Sequence, residues 1–219
     1  MDNRLSRPMH RSVVVFDIAG YGRRDNRAQV RAREVLHTAV RGAFRVAGVP
    51  WRRLVVEDRG DGLIALAPPS VSKVDLLDPL VPALAAGLAD AAEPVRLRMA
   101  VHAGDLVRDA YGWVGADLNT ACRLVDSDVL REALRDAPGA VLAVLVSDVV
   151  HRAVVRHGYR GLRAADYRPV RVVCKEVDER AWLQLQGWVS QVNGMPWPPP
   201  APRRSDSPPG HSFSRSWKS

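Results

Sequence analysis

The stretch SVVVFDIAGYG, residues 12–22, decides the fold because it joins an apolar strand, one carboxylate and a glycine turn. Residues 12–18 are mostly β-branched or aromatic, and a short apolar run bounded by glycine is typical of a buried β-strand. Asp17 is the only charged residue of the stretch and stands near the end of that strand. The stretch therefore predicts a central strand that delivers one carboxylate to a flexible turn at Gly20-Tyr21-Gly22.

The flanking sequence extends this strand into a regular order of elements. Asp25 precedes an amphipathic helix predicted for residues 26–47, which Gly48 and Pro50 end. The other predicted elements are strands at 54–56 and 63–66, a helix within 71–92, a strand at 95–102, helices at 116–124 and 126–136, a strand at 141–146, a helix at 147–157 and a hairpin at 170–185. This order predicts an α+β fold, a ferredoxin-like βαββαβ sandwich with an antiparallel sheet and helices on one face.

Composition divides the chain into three parts. Residues 1–10 are predicted to form an N-terminal arm, residues 11–186 one domain, and residues 187–219 a disordered tail rich in Pro, Ser and Arg. No apolar run approaches the roughly 20 residues that a membrane-spanning helix needs, and the N-terminus lacks the apolar segment of a signal peptide. We therefore expect a cytoplasmic protein without a membrane partner, in which Cys122 and Cys174 stay reduced.

The net charge of +8 is carried almost entirely by arginine, because only three of the 32 basic residues are lysine. A basic protein can bind nucleic acid, but these arginines are scattered along the chain rather than gathered on one element. We therefore expect no nucleic-acid partner. A ligand rich in phosphate agrees equally well with the charge.

Three glycine-associated patches, at residues 16–22, 57–62 and 112–123, contain the candidate catalytic and binding residues. In a ferredoxin-like sandwich, the end of the first strand lies beside the central hairpin turn, so Asp17 and Asp61 should converge. Two unpaired carboxylates repel each other, and a divalent cation relieves that repulsion. The turn Gly20–Gly22 offers backbone N–H groups to phosphate. Asn119 and Arg123 are four residues apart on a predicted helix, so their side chains share a face and suit a ribose and a phosphate.

These patches together resemble the catalytic domain of class III adenylate/guanylate cyclases, over residues 11–185. The matching segments are FDIAGYG at 16–22, EDRGDG at 57–62, RLRMAVHAGD at 96–105 and GWVGADLNTACRL at 112–124. The resemblance implies that Asp17 and Asp61 bind two Mg²⁺ or Mn²⁺ ions, with the carbonyl of Ile18 completing one site. It also implies that Asn119 and Arg123 orient the ribose and stabilise the transition state. Family members form head-to-tail dimers, so the resemblance further implies a homodimer.

The positions that would select the base depart from the family pattern. Glu57 stands where guanylate cyclases carry glutamate, and a carboxylate can accept hydrogen bonds from guanine, so the resemblance favours GTP before ATP. Its expected partner position holds Gly112, which has no side chain. Tyr21 and Gly22 replace the end of the family's Gly-Phe-Thr turn. Lys175 lies near the position of the family's phosphate-binding lysine and is a further catalytic candidate.

Two functional hypotheses follow. The first is a cyclase that converts a nucleoside triphosphate to a 3′,5′-cyclic monophosphate and pyrophosphate. The second is an inactive cyclase-like module that binds the nucleotide as a sensor or regulatory partner, which the glycine at position 112 favours. A diguanylate cyclase is disfavoured because the chain lacks a Gly-Gly-Asp/Glu-Glu-Phe run, and an RNA-binding module because the first strands lack stacking aromatics.

Overall fold

The computed structural model describes residues 7–187 as eight strands and five α-helices, with four short 3₁₀ helices. They are β1 (Met9–Ile18), α1 (Asn26–Val46), β2 (Val55–Asp58), β3 (Gly62–Ala67), α2 (Leu80–Ala89), β4 (Leu97–Arg108), β5 (Trp113–Val114), α3 (Ala116–Val125), α4 (Asp128–Asp136), β6 (Leu142–Ser147), α5 (Asp148–Ala153), β7 (Arg168–Cys174) and β8 (Val177–Gln186). The predicted elements occur in the predicted order, with the short strand β5 in addition. The predicted tail lies outside the described residues from 188 onward, and residues 1–6 of the predicted arm lie outside them too.

Two boundaries differ from the prediction, and proline explains one of them. The helix expected within 71–92 begins only at Leu80, because Pro79 disfavours a helical conformation for the residue before it. Pro82 is tolerated because it stands in the first turn of α2, where backbone N–H groups have no intrahelical acceptor. Near the N-terminus, β1 begins at Met9, inside the segment predicted as an arm. The reason is that its pairing with β4 continues as far as Leu106.

The sheet is open and mostly antiparallel, with strand order β2-β3-β1-β4-β6-β8-β7, and β5 pairs with the end of β4. β1 pairs antiparallel with both β3 and β4, which gives the first four strands the ferredoxin-like arrangement. β4 and β6 are parallel, and the remaining pairs are antiparallel. The α+β sandwich predicted from the sequence is confirmed.

Both faces of the sheet are covered, which corrects the expectation of helices on one face. Val14, Phe16 and Ile18 of β1 pack with α1 and α2 in one core, where Phe16 meets Phe44 edge to face at 6.2 Å. Val13 and Val15 are buried on the opposite side, where α3 contacts β1 and β4. A run of four apolar residues in β1, rather than an alternation, is the sequence signal of a strand buried on both faces.

Among residues 7–187, no helix is long and apolar enough to cross a membrane. Cys122 and Cys174 are both free and half-buried.

Candidate active site

Asp17 lies in the middle of the sheet, at the end of β1, with β3 on one side and β4 on the other. Its register partners are Gly62 of β3 and Arg98 of β4. Arg98 donates two hydrogen bonds to the same oxygen of Asp17, Oδ2, one of them from Nε at 2.8 Å. A Cβ atom at Gly62 would lie 2.2 Å from the carbonyl oxygen of Phe16, so only glycine lets β3 start this close to β1.

Asp61 is brought to the same place by the backbone of the β2–β3 turn. The N–H of Ile18 donates to the carbonyl oxygen of Asp61 at 2.9 Å. Burial raises the pKa of the Asp17 carboxyl, the charge of Arg98 opposes that rise, and the negative charges of Asp61 and Asp126 add to it. The structure therefore brings together Asp17, Ile18 and Asp61, the three residues that the sequence suggested for metal binding.

The hairpin turn that carries Asp61 is held by a neighbour that the sequence did not single out. The carboxylate of Asp58 accepts hydrogen bonds from the N–H of Gly60 at 2.8 Å, from Arg33 at 2.8 Å and from Nε2 of His37 at 2.9 Å. The Gly60 N–H and then the Arg33 guanidinium lower the pKa of Asp58 below its ordinary value. Asp58 thus ties the turn to α1, and this fixes the position of Asp61.

The glycine turn after β1 differs from its predicted form in one respect. Gly20 adopts a left-handed conformation with φ of 70°, and a 3₁₀ helix at Tyr21–Arg23 precedes α1, which begins at Asn26. The guanidinium of Arg23 lies against Gly20, where a Cβ atom would stand 2.9 Å from its Nη2. A Cβ at Gly22 would meet open space. The binding of phosphate at this turn stays a prediction.

Asn119 and Arg123 project from α3, and the structure adds partners for Arg123. Nε of Arg123 donates to Glu176 at 3.0 Å, and Glu176 follows Lys175 in the turn between β7 and β8. The Glu176 backbone N–H and then Arg123 lower the pKa of Glu176. Lys175 itself is exposed and has a positive φ of 51° in this tight turn. Arg123 therefore contacts the β7–β8 turn that contains Lys175.

Glu57 and Gly112 also meet. A Cβ atom at Gly112 would lie 3.8 Å from Oε1 of Glu57, and its φ of 153° favours glycine at that position. Burial raises the pKa of the Cys122 thiol in α3, while nearby Arg59 and Arg123 lower it and Glu57 raises it further. Glu57 and Arg123 both act on the Cys122 thiol, so the two side chains lie near the same part of α3.

α3 is fastened to β4 by a contact that the sequence did not reveal. Oδ2 of Asp117 accepts the N–H of Asp105 at 2.7 Å, and its Oδ1 is 3.1 Å from Nε2 of the buried His102. A Cβ atom at Gly104 would lie only 2.0 Å from the Asp117 carboxyl. The segment RLRMAVHAGD contains three of these residues, but no pattern in the sequence says that Asp117 faces them.

The candidate residues form two separate clusters in one chain. One contains Asp17, Asp61 and Arg98, and the other contains Asn119, Arg123 and Glu57 with their neighbours. Within residues 7–187, no hydrogen bond or ion pair joins Asn119 or Arg123 to either aspartate. The described part of the chain also contains no group of three or more His, Cys, Asp or Glu side chains arranged to hold a metal, so a cation here would need backbone and ligand oxygens as well.

The fold is that of the catalytic domains of adenylate and guanylate cyclases. The chain is similar in structure to the catalytic core of a rhodopsin-guanylyl cyclase with converted specificity in complex with ATPαS, with a TM-score of 0.59, 12% identity, and coverage of 82% of this chain and 97% of that one. It is also similar to an adenylate/guanylate cyclase/hydrolase from Silicibacter pomeroyi, with a TM-score of 0.54, 19% identity, and coverage of 81% and 97%.

A third similar structure is the guanylate cyclase domain of RhGC from Catenaria anguillulae in complex with GTP, with a TM-score of 0.56, 12% identity, and coverage of 84% and 100%. No protein-family model and no curated protein matches the sequence. The likeness is therefore one of fold.

Proposed function

We propose that this chain is a nucleotide cyclase that converts a nucleoside triphosphate, GTP before ATP, to the 3′,5′-cyclic monophosphate and pyrophosphate. The observation that carries the proposal is the convergence of Asp17 and Asp61 at the end of β1, beside the open turn at Gly20–Gly22. A homodimer would bring α3 of a second copy to this cluster. A cytoplasmic location would supply the nucleotide and remains a prediction.

The aspartate cluster fits divalent cations. Burial raises the pKa of Asp17 and the negative charge of Asp61 adds to that rise, which a cation would counter, and both bonds from Arg98 go to one oxygen of Asp17. Asp17, Asp61 and the carbonyl of Ile18 would hold two Mg²⁺ or Mn²⁺ ions. Such ions supply charge neutralisation of the phosphates and a lower pKa of the attacking hydroxyl.

The chain's own residues would bind the nucleotide and stabilise the transition state. Backbone N–H groups of the turn at Gly20–Gly22 would bind phosphate oxygens. Asn119 would orient the ribose so that its 3′-hydroxyl faces the α-phosphorus, and Arg123 would stabilise the negative charge that grows there. Arg123 would exchange its exposed partner Glu176 for the phosphate, with Lys175 as a second cation beside it. Glu57 would accept hydrogen bonds from guanine.

A second candidate is an inactive module that binds the nucleotide for sensing or regulation. The observation that favours it is the contact between Gly112 and Glu57, because the glycine leaves the base-selecting carboxylate without a side-chain partner. Both candidates require nucleotide binding, so turnover separates them.

The first experiment incubates the purified chain with Mn²⁺ and each of the four ribonucleoside triphosphates, and detects cyclic monophosphate by mass spectrometry. Thermal unfolding measures binding in parallel. Ligand at a hundredfold excess over Kd stabilises by about 2.7 kcal/mol, or roughly 5–10 °C for a domain of this size. Asp61→Asn should remove the Mn²⁺-nucleotide shift, and the exposed Asp90→Asn should keep it. An unchanged shift in Asp61→Asn would refute the metal site.

If the chain cyclises a nucleotide, mixing two inactive variants tests the dimer. Asp61→Asn damages the aspartate cluster and Arg123→Ala damages the α3 cluster, so a heterodimer would contain one doubly damaged site and one intact site. Random mixing makes about half of the dimers heterodimers, so activity should return to about a quarter of wild type. A mixture that exchanges subunits and stays inactive would show that the site lies within one chain.

A further inference from the structure

A cavity of about 680 Å³ opens on the surface where α1 ends, beside the 3₁₀ helix at Trp51–Arg53. This α1-end cavity has the size of a pocket for a small organic molecule. α1 is 21 residues long, so its two ends are about 30 Å apart, and the glycine turn of the candidate active site precedes the other end. The α1-end cavity is therefore separate from the candidate active site.

Two glycines open the cavity, and the backbone around them closes the end of α1. A Cβ atom at Gly42 or Gly48 would have no neighbour within 4 Å, so empty space lies over both. The N–H of Gly48 donates to the carbonyl of Arg45 at 3.1 Å, and the N–H of Val49 donates to that of Phe44 at 2.9 Å. Arginines near a helix end often bind the last carbonyls themselves. Here the backbone satisfies these carbonyls, and the arginine side chains remain available to another acceptor.

One arginine of the cavity is already held in place by an aromatic ring. Cζ of Arg41 stands 4.8 Å from the ring centroid of Trp51, and that ring packs edge to face against the buried Phe44 at 5.8 Å. A guanidinium stacked on an indole points its N–H groups outward from the stack. Neither Arg41 nor Arg45 has a hydrogen-bond or ion-pair partner among residues 7–187. The cavity therefore offers two unused positive charges, and the fixed orientation of Arg41 lowers the entropic cost of binding an anion.

The arrangement of donors fits a phosphate group better than a carboxylate. Thr38, Arg41 and Arg45 all line the cavity and, at a spacing of three and four residues, share one face of α1. They present two guanidinium forks and one hydroxyl. A phosphate monoester has three terminal oxygens and up to two negative charges, whereas a carboxylate has two oxygens and one charge. No acidic residue lines the cavity in the described part of the chain, so nothing there competes for the guanidinium groups.

We propose that the α1-end cavity binds a small phosphate monoester with a planar or apolar body. The phosphate lies between Arg41 and Arg45, and the body lies against Val49 and Pro50, which supply apolar surface to the lining. The two arginines supply the positive charge, so the site needs no metal. The proposal does not depend on the proposed function, because the cavity shares no residue with the aspartate cluster or with the glycine turn.

Isothermal titration of the full chain with phenyl phosphate, in EDTA and at constant ionic strength, tests the proposal. Wild type should bind phenyl phosphate at least tenfold more tightly than inorganic phosphate, which lacks the body, and than benzoate, which lacks the third oxygen. Arg41→Gln and Arg45→Gln should each weaken binding about tenfold, because each removes one charge-assisted contact. Arg27→Gln is the matched control. Arg27 is an exposed arginine near the start of the same helix, so its loss should change binding less than twofold.

Gly42→Leu distinguishes a cavity from a diffuse surface charge, because it fills the space and removes no charge. Leucine favours a helix more than glycine does, so the fold should hold, and circular dichroism checks this. Phenyl phosphate binding should fall at least tenfold. Binding that survives Gly42→Leu, equal losses in Arg41→Gln and Arg27→Gln, or no preference of wild type for phenyl phosphate would each overturn the proposal. Asp61→Asn should bind phenyl phosphate as wild type does, so a failure of the proposed cyclase leaves this result unchanged.

Discussion

Gly104→Ala should destabilise this protein far more than the addition of one methyl group suggests. The new Cβ would lie 2.0 Å from both Cγ and Oδ2 of Asp117 and 2.6 Å from its Cβ. Such contacts cannot be relieved at the far end of a flexible side chain, because the whole carboxyl group occupies the space. The Asp117 side chain has to leave its position against β4.

The magnitude follows from the two hydrogen bonds that Asp117 would abandon. One is accepted from the N–H of Asp105 at 2.7 Å, and the other joins Nε2 of His102 at 3.1 Å. His102 is only 3% exposed and its Nδ1 has no partner among the described residues, so the ring would lose its remaining partner. Each unsatisfied group costs about 1–3 kcal/mol. The two groups together cost about 2–6 kcal/mol, and subtracting the roughly 0.5–1 kcal/mol that alanine gains over glycine leaves about 1–5 kcal/mol.

Urea unfolding measures this difference. Gly42→Ala in α1 is the matched control, because a Cβ there has no neighbour within 4 Å, and it should stabilise by about 0.5–1 kcal/mol. The cost of Gly104→Ala should largely vanish in an Asp117→Gly background, since that change removes the Cβ as well as the carboxyl atoms that clash. An equal cost in both backgrounds, or a Gly104→Ala variant as stable as wild type, would refute the reasoning.

Two more predictions concern the β2–β3 hairpin. Glu57→Lys should weaken GTP binding relative to ATP about tenfold to a hundredfold, because a cation replaces a carboxylate that accepts hydrogen bonds from guanine. A competition titration measures the ratio of GTP to ATP affinity. The same ratio in wild type and variant would show that Glu57 is not in the base site. Asp58→Asn should cost about 1–2 kcal/mol in urea unfolding at neutral pH, where the carboxylate accepts from Gly60 and Arg33. The folded pKa of Asp58 is below its ordinary value of 3.8, so this contribution is present above pH 3.8 and is lost as the pH falls through the folded pKa. A stability difference between wild type and Asp58→Asn that stays constant down to pH 2 would contradict this prediction.

The sequence was sufficient for those parts of the fold that local chemistry dictates. The apolar run before Asp17, the Asp25 cap and the Gly60-Asp61-Gly62 turn each have one preferred local structure. Once these elements are arranged in the ferredoxin-like order, the meeting of Asp17 and Asp61 follows from topology, and the register of β1 with β3 confirms it.

The sequence was insufficient where a contact depends on register across a long loop. Arg98 lies 81 residues after Asp17, and only the pairing of β1 with β4 places the two side by side. The contact of His102 with Asp117 depends on the packing angle of α3, which no periodicity encodes. The cover on the second face of the sheet could have been predicted. The continuous apolar run of β1 indicates a strand that is buried on both faces.

One face of β4 connects the two clusters of the proposed site. Arg98 on this face contacts Asp17, and His102 and Gly104, which lie four and six residues further on, hold α3 through Asp117. Residues two apart on a strand share a face, so a shift of one residue in the register of β4 would remove both contacts at once. A substitution at one end should instead separate them. Gly104→Ala displaces the Asp117 end of α3 and leaves the pair of Arg98 with Asp17 in place, so the Mn²⁺-dependent nucleotide shift should persist while any cyclisation falls. Loss of both together would mean that the two clusters depend on each other through more than this strand.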